Sequence, residues 1–393
     1  MKIKAWRLPW KDQWVPHALL DILRGCNIHC RACYNTQSGG IKSFQQVCEE
    51  FELIRQHRRL DSISIVGGEP TLHPNLLDII RYIKAAGVSV ELFSNGLSLT
   101  PTTLDALKSA GTSLIFMHID AQQNRPDLPV VNAETLAALR SRIAADIAAA
   151  GMEVGLAITG YAGAVEEIDA GAAWVLASPH VDYFLVTLCR DTPGLGRLEG
   201  DIGQGIHRST SGMPPPLACR LNGWNNLLMH TRMLERFGLR PFAWLGSNVD
   251  AADPRWLSYL IGAVVGGEKP AYLSALKASW LEPFFMRLYR LTRGRYPFYM
   301  PQSPGRFRVQ LLLNAISGGR FAGNLSLLAK SFGSGGKLRA KRILFQNPAE
   351  VGADGRLIHC EQCPDATVRD GRLVPTCAAD QIGDGMTGGQ GAS

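Results

Sequence analysis

The feature that most constrains the fold is a regular alternation between short apolar runs and longer amphipathic stretches, from residue 17 to about residue 190. The short runs have the length and composition of strands, and a segment long enough for a crossover helix separates each from the next. The predicted strands are His17–Leu23, Ser62–Val66, Val88–Phe93, Leu114–His118, Glu153–Thr159 and Val181–Leu188. Such strands run parallel, so the pattern predicts an α/β fold, either an open doubly wound sheet or a partial (β/α)6 TIM-like barrel. In both folds, chemistry lies at the carboxyl ends of the strands.

The nine cysteines fall into two triads and three single residues. The first triad is Cys26, Cys30 and Cys33, the second triad is Cys360, Cys363 and Cys377, and the single residues are Cys48, Cys189 and Cys219. In a reducing compartment, tight cysteine clusters indicate metal sites rather than disulfides. Cys48 lies in the first predicted helix, where we expect a buried small hydrophobic side chain.

The first triad has the spacing CxxxCxxC and follows the first predicted strand directly. Three thiolates within eight residues can hold three irons of a cubane [4Fe–4S] cluster, which leaves the fourth iron without a protein ligand. Zinc is the alternative, but a structural zinc site has four ligands, so His29 or a distant residue would have to supply the fourth. On the spacing alone, both a cluster with one open iron and a zinc site stay open.

From 17 to 190 the sequence resembles the radical S-adenosylmethionine (SAM) superfamily, whose cysteine signature stands here as CNIHCRAC. Three further motifs of that superfamily stand at the ends of successive predicted strands. They are Gly67-Gly68-Glu69-Pro70, Ser94-Asn95-Gly96 and His118-Ile119-Asp120. The family commonly has an aromatic residue before the third cysteine, where Ala32 stands here, and Tyr34 follows instead.

The resemblance implies that the first triad binds a [4Fe–4S] cluster and that SAM is the second cofactor. It implies that the GGEP motif binds the methionine amino group, while Ser94, Asn95 and Asp120 contact the ribose or the substrate. Tyr34 joins the cofactor-binding candidates. The implied activity is reductive cleavage of SAM to a 5′-deoxyadenosyl radical that abstracts hydrogen from a substrate, with flavodoxin or ferredoxin as reductant. The cofactor carries this chemistry, and the protein orients it and excludes water.

The second triad encloses a predicted hairpin with an Asp370-Gly371 turn, which would return Cys377 to the Cys360-x-x-Cys363 pair. Its spacing is similar to that of the auxiliary cluster in the GTP cyclase of molybdenum cofactor biosynthesis, and more loosely to SPASM and twitch extensions. We therefore predict a second, auxiliary [4Fe–4S] cluster, with structural zinc as the alternative. Its fourth ligand would be Cys189, Cys219 or none. The arginine pair of that cyclase is missing, so its substrate is not expected here.

Positive charge is concentrated in one region. Residues 281–345 hold twelve lysines and arginines against the single acid Glu282, while the whole chain is only +7. We predict a core barrel over 17–190, a linker and mostly helical basic cap over 191–350, an auxiliary-cluster region over 351–382 and a disordered tail over 383–393. No apolar run is long enough to cross a bilayer.

Aromatic and aliphatic residues are interleaved with these cations, a mixture that suits docking on anionic lipid. We therefore expect a lipid or polyprenyl-type substrate at an anionic membrane surface, and a cytoplasmic enzyme peripheral to the inner membrane face. A plain solvated basic cap, a nucleic acid and a peptide substrate are the alternatives. The reaction type, whether coupling, epimerisation, dehydrogenation or methyl transfer, stays open. The rival from another class is a non-catalytic iron–sulfur or zinc scaffold, although a scaffold would not need the GGEP motif.

Overall fold

The structure is a computed structural model that describes residues 3–35, 40–189, 224–267, 270–296, 298–299, 301–318, 321–333, 337–351 and 356–379. The predicted linker from Asp191 to Pro216, Cys219 and the predicted tail lie outside these ranges. Within them, no helix is both long and apolar enough to cross a membrane.

The first half of the chain is a run of βα units. Its strands are β1 (Trp6–Arg7), β2 (His17–Asp21), β3 (Ser62–Val66), β4 (Ser89–Ser94), β5 (Thr112–His118), β6 (Glu153–Gly160) and β7 (Val181–Leu188). Its helices are α1 (Phe44–His57), α2 (Leu76–Ala85), α3 (Pro101–Ala110), α4 (Ala133–Ala149) and α5 (Val165–Ala177). β2 to β7 pair in chain order and all in parallel. The six predicted strands are confirmed to within two residues at each end.

Local sequence explains where these helices begin and end. Ser43 and Gln46 form a reciprocal capping box at the start of α1. Thr100 caps α3 with Pro101 at its first position, and Gly111 ends that helix with a φ of 118°. The helices bury their apolar faces against the sheet, so the main core lies between the two layers. Cys48 is half-buried on α1 rather than fully buried as predicted.

The second half extends the same sheet. It contains α6 (Asn226–Phe237), β8 (Ala243–Leu245), β9 (Trp256–Val265), β10 (Pro270–Ala275), α7 (Leu281–Arg293), α8 (Pro304–Ser317), α9 (Phe321–Gly333), β11 (Lys337–Gln346), β12 (Glu350–Val351) and β13 (Leu357–Ile358). β11 pairs in parallel with β7 and antiparallel with β9, and β8 joins β9 to β1. The sheet therefore runs β1-β8-β9-β11-β7-β6-β5-β4-β3-β2, with β10 paired to β9.

The α/β architecture with a partial (β/α)6 barrel is confirmed, but the extension is less helical than predicted. The prediction missed β8, β9, β10 and β11. β9 is buried along almost its whole length, and a strand covered on both faces gives an unbroken apolar run that cannot be told from a buried helix. β11 alternates basic and apolar residues and was interpreted as part of a charged cap.

The C-terminal hairpin is confirmed. β14 (Ala366–Arg369) and β15 (Arg372–Pro375) pair with Arg369 opposite Arg372. Asp370 and Gly371 form the two-residue loop with φ values of 48° and 71°, as a tight hairpin turn requires. β14 packs along β2, so the hairpin lies beside the first strand of the barrel.

Candidate functional site

The loop that carries the first triad leaves the carboxyl end of β2 and is held against the Gly67-Gly68 turn after β3. Gly68 N–H donates to Leu23 O at 2.8 Å, and Glu69 N–H donates to Gly25 O at 2.9 Å. A Cβ on Gly68 would lie 1.9 Å from Gly25 O, so only glycine permits this contact. The close approach that these glycines allow is therefore to the chain's own cysteine loop.

Glu69 connects the ends of β3 and β4. Its carboxylate is buried and accepts hydrogen bonds from Thr71 N–H, Thr71 Oγ1, Ser94 Oγ and Asn95 N–H at 2.7–3.1 Å. Pro70 is buried and opens the short 3-10 turn Pro70–Leu72 behind it. Four donors fill the acceptor positions of a carboxylate, so Glu69 fixes the relative positions of two predicted motifs.

Asn95 connects this network to the first triad. Its Nδ2 donates to Asn27 Oδ1 at 2.6 Å and lies 3.9 Å from Cys26 Sγ. Its backbone carbonyl accepts from the buried Arg125 at 2.6 Å. Tyr34, just after the triad, donates from its hydroxyl to Gly67 O at 3.2 Å, so the loop is tied to the glycine turn from both sides.

Asp120, at the end of β5, is buried and engaged within the protein. It accepts from Gln122 N–H at 2.8 Å and Thr159 N–H at 3.1 Å, and His118 Nε2 lies 3.2 Å away. Burial alone would raise the pKa of Asp120, but these partners hold it below its usual range. Because Gln122 O in turn accepts from Arg31 N–H, Asp120 steadies the cysteine loop from the far side. The contacts predicted from Ser94, Asn95 and Asp120 to SAM or substrate stay predictions.

The three thiols of the first triad are close neighbours. Burial raises the pKa of Cys30, and the negative charges of Asp120, Cys33 and Cys26 raise it further. Burial also raises the pKa of the Cys26 thiol. These thiols therefore favour the protonated form, and binding of iron as thiolates would release their protons.

The second triad lies at the opposite end of β2. The Arg58 guanidinium donates to His17 O at 2.6 Å, at the start of β2, and also to Cys363 O and Pro364 O. Since β2 spans four steps of about 3.3 Å, roughly 13 Å of strand separates the two ends. The predicted return of Cys377 is confirmed, because its neighbour Thr376 donates from its N–H to Asp365 O at 3.0 Å, two residues after Cys363. Burial and, to a smaller extent, Cys363 raise the pKa of Cys377 to about 12. Ala349 N–H points at Cys377 Sγ at 3.1 Å.

Cys189 follows β7, where its N–H donates to Gly160 O at 2.7 Å. Because β7 runs parallel to β2, Cys189 lies at the carboxyl edge of the sheet, on the side of the first triad. Its assignment as a fourth ligand of the second triad stays a prediction, and Cys219 lies outside the described residues.

A buried polar group between the triads was missed from the sequence. His17 Nδ1 lies 2.8 Å from Ser62 Oγ and Nε2 lies 3.2 Å from Ser64 Oγ, which donates to Glu91 at 2.9 Å. The His17 ring stacks on Tyr299 at 4.3 Å between centroids. Burial lowers the pKa of His17 to about 3 and raises that of Glu91 to about 7. Polar residues recurring inside apolar strands were the available signal.

This polar group reaches the second triad through Asp365, whose Oδ1 lies 3.9 Å from His17 Nε2. Asp365 follows Cys363 by two residues and accepts from Gln346 at the end of β11.

Phe93 and Phe116, whose ring centroids are 4.6 Å apart in a stacked arrangement, form an apolar patch with Tyr183. The region between the triads thus offers both polar and aromatic surfaces.

Both triads have the donor chemistry of an iron–sulfur cluster. All six thiols are free and at least partly buried. Across the described ranges, no three His, Cys, Asp or Glu side chains are grouped so that they could hold a single metal ion. A cubane makes a different demand, because each of its irons takes its own thiolate. Three thiols around a short loop, beside a fixed glycine turn, fit such a cluster.

Parallel barrel strands with a thiol triad at their carboxyl edge define a cofactor-dependent barrel enzyme. Residues 20–167 match the family model of the radical SAM superfamily. The chain therefore carries a radical SAM domain over these residues. Proteins of this superfamily use a [4Fe–4S] cluster and SAM.

The sequence is similar to an AdoMet-dependent heme synthase of Methanosarcina barkeri, 27% identical over 108 residues, which cover 25% of this chain and 30% of that protein. It is also similar to a PqqA peptide cyclase of Ruegeria pomeroyi, 36% identical over 66 residues, which cover 17% of each chain. SuiB of Streptococcus suis, solved with S-adenosylmethionine, aligns with a TM-score of 0.38 and 14% identity over 56% of this chain and 48% of SuiB. The chain spans less than a third of the length of these two sequence relatives.

Proposed function

We propose that this protein reductively cleaves SAM at the first triad and uses the product to remove hydrogen from a substrate inside the barrel. When bound, the cluster and SAM would supply a one-electron break of a carbon–sulfur bond, which yields a 5′-deoxyadenosyl radical. The observation that carries the proposal is the network joining the cysteine loop to Gly68, Glu69 and Asn95. A scaffold that only held metal would not need this turn.

The residues of this chain bind and orient in this proposal. Cys26, Cys30 and Cys33 would hold the cluster, and the backbone of the GGEP motif would receive the methionine end of SAM. Glu69 and Asn95 keep that motif in position against the loop. The barrel wall, with Phe93 and Phe116 stacked beside the polar group of His17 and Glu91, would exclude water from a bound substrate.

We propose that the second triad holds an auxiliary [4Fe–4S] cluster. The hairpin β14–β15 brings Cys377 to Cys360 and Cys363, and the Ala349 amide points at the Cys377 sulfur, a contact that would stabilise a thiolate. Arg58 fixes the backbone carbonyl of Cys363 to the amino end of β2. A cluster here would serve electron transfer, substrate binding or structure.

We propose a lipid or polyprenyl-type substrate, reached at an anionic membrane surface, because a basic and apolar helical layer adjoins the barrel through β9 and β11. The protein would then be cytoplasmic and peripheral, with flavodoxin or ferredoxin as electron donor. A peptide is the second candidate, favoured by the sequence similarity to PqqA peptide cyclase. An RNA substrate and a non-catalytic scaffold rank below these two.

The test is anaerobic reconstitution followed by measurement of iron and of SAM consumption with dithionite. Two cubanes predict close to eight irons per chain, and about four in a variant that lacks either triad. SAM consumption without reductant would contradict the proposal. An iron content near four per wild-type chain would show that the auxiliary cluster is not present.

A further inference from the structure

The three helices of the extension expose apolar residues and bury polar ones. On α7 and at its N-cap, four residues at helical spacing face outward: Trp280 (73% exposed), Phe284, Leu288 and Leu291 (75% exposed). The same helix buries Glu282, whose carboxylate lies within hydrogen-bonding distance of Gln310 on α8. Because α7 also buries Met286, it has apolar residues on both faces, whereas a surface helix of a globular protein normally has one apolar stripe that faces the core.

α8 and α9 also carry apolar residues on both the buried and the exposed side. Val309, Leu312 and Ile316 point outward from α8, while Asn314 of the same helix is fully buried and bonds to Asn324 of α9 at 3.0 Å. Among the described residues, nine of the twenty exposed large hydrophobic side chains fall between residues 280 and 332. α7 packs on α8 and α8 on α9, so these side chains form one surface, here called the outer face. A patch of this kind marks an interaction site.

The charge on this surface identifies its partner. Arg287, Arg293 and Arg295 are exposed on or just after α7. Glu282 is the only acid in residues 281–345, and burial raises its pKa to about 7. A second copy of the chain would set cations against cations in a two-fold interface, which is unfavourable. A nucleic acid would use the arginines but not the aliphatic side chains of α8.

We infer that the outer face docks on an anionic lipid bilayer, with its apolar side chains inserted between headgroups and its arginines on the lipid phosphates. The three helices lie in the interface and none spans it. Arginines near an anionic surface attract it, and this attraction weakens as salt screens it, while the apolar contribution persists. The inference rests on the membrane surface named in the proposed function and identifies the residues that would dock there, while the SAM cleavage reaction is tested separately.

The experiment is co-sedimentation of the reconstituted protein with vesicles of phosphatidylcholine alone or mixed with phosphatidylglycerol, without SAM or reductant. We expect binding to the mixed vesicles at low salt, and a decrease of roughly tenfold in partitioning for Leu288→Glu/Leu291→Glu. The matched control is Leu228→Glu/Leu234→Glu, which changes two exposed leucines of α6 and should bind like the wild type. Arg287→Glu/Arg293→Glu should remove the preference for anionic lipid.

Circular dichroism and thermal melting of each variant establish that it is folded. Equal vesicle binding by the α7 and α6 variants would overturn the inference. So would absence of binding at low salt, or complete displacement from vesicles by RNA. A concentration-dependent dimer that Leu288→Glu/Leu291→Glu dissociates, without vesicle binding, would assign the face to self-association instead. Because no SAM is present, none of these results bears on the cleavage reaction.

Discussion

Replacing Gly68 with alanine should detach the cysteine loop from the turn that supports it. The new Cβ would stand 1.9 Å from Gly25 O and 2.6 Å from Arg24 O, both backbone atoms that cannot rotate away. Relief requires the two segments to separate, which breaks the bonds Gly68 N–Leu23 O and Glu69 N–Gly25 O. Overpacking costs about 1–3 kcal/mol and each lost hydrogen bond about 1 kcal/mol, so the loop loses about 3–5 kcal/mol of docking energy.

The matched control lies on the other side of the same contact. A Cβ on Gly25 would meet nothing within 4 Å, so Gly25→Ala keeps the loop in place. After anaerobic reconstitution we expect Gly68→Ala to hold about four irons, because the second triad is untouched, while Gly25→Ala holds about eight. If Gly68→Ala matched Gly25→Ala in iron content and thermal stability, the proposed support of the loop would be refuted.

Three further predictions test other parts of the structure. Burial raises the pKa of Glu282 from 4.5 to about 7, so the folded state loses stability as pH rises through this window. Measured by denaturation, Glu282→Gln should be more stable than the wild type by about 3 kcal/mol at pH 8 and equally stable at pH 4. A variant whose stability depends on pH as the wild type's does would contradict this. Arg369 donates to the buried Asp21 at 2.5 Å, and Arg24 lies 3.3 Å from the same carboxylate. Because Arg24 remains, Arg369→Met should destabilise the chain by about 2 kcal/mol. Asp21→Asn should reduce that loss, whereas additive losses would exclude the pair. Cys363→Ala should retain SAM cleavage without substrate and lose substrate turnover; a folded variant that no longer cleaves SAM would disprove the division between the triads.

The parallel barrel was predictable because its strands and helices each have a distinct hydrophobic period, and capping residues such as Thr100 and Ser43 mark the helix starts. The hairpin was predictable from Asp370-Gly371, which tolerate the positive φ of a tight turn. β9 was missed because burial on both faces removes the alternation by which a strand is recognised.

Within the candidate site, motif spacing predicted the cysteines and the GGEP turn but not their mutual contacts. Glu69 holds Ser94 and Asn95 through bonds across 25 and 26 residues, and no local pattern encodes such a contact. The polar group of His17, Ser64 and Glu91 forms only when three strands pair in register. The sequence also did not show that α7 and α8 expose apolar residues. Hydrophobic periodicity identifies an apolar face of a helix but not whether that face points to the core or to solvent.

The central claim is that the first triad supports reductive cleavage of SAM, and the most direct measurement is 5′-deoxyadenosine formed by the reconstituted protein under dithionite. Wild-type protein should produce it, and Cys30→Ala should produce none while retaining the iron of the second triad. Cys48→Ala, which removes a half-buried cysteine of α1, is the control and should match the wild type. Production of 5′-deoxyadenosine by Cys30→Ala, or none by a wild-type protein that holds about eight irons, would contradict the account.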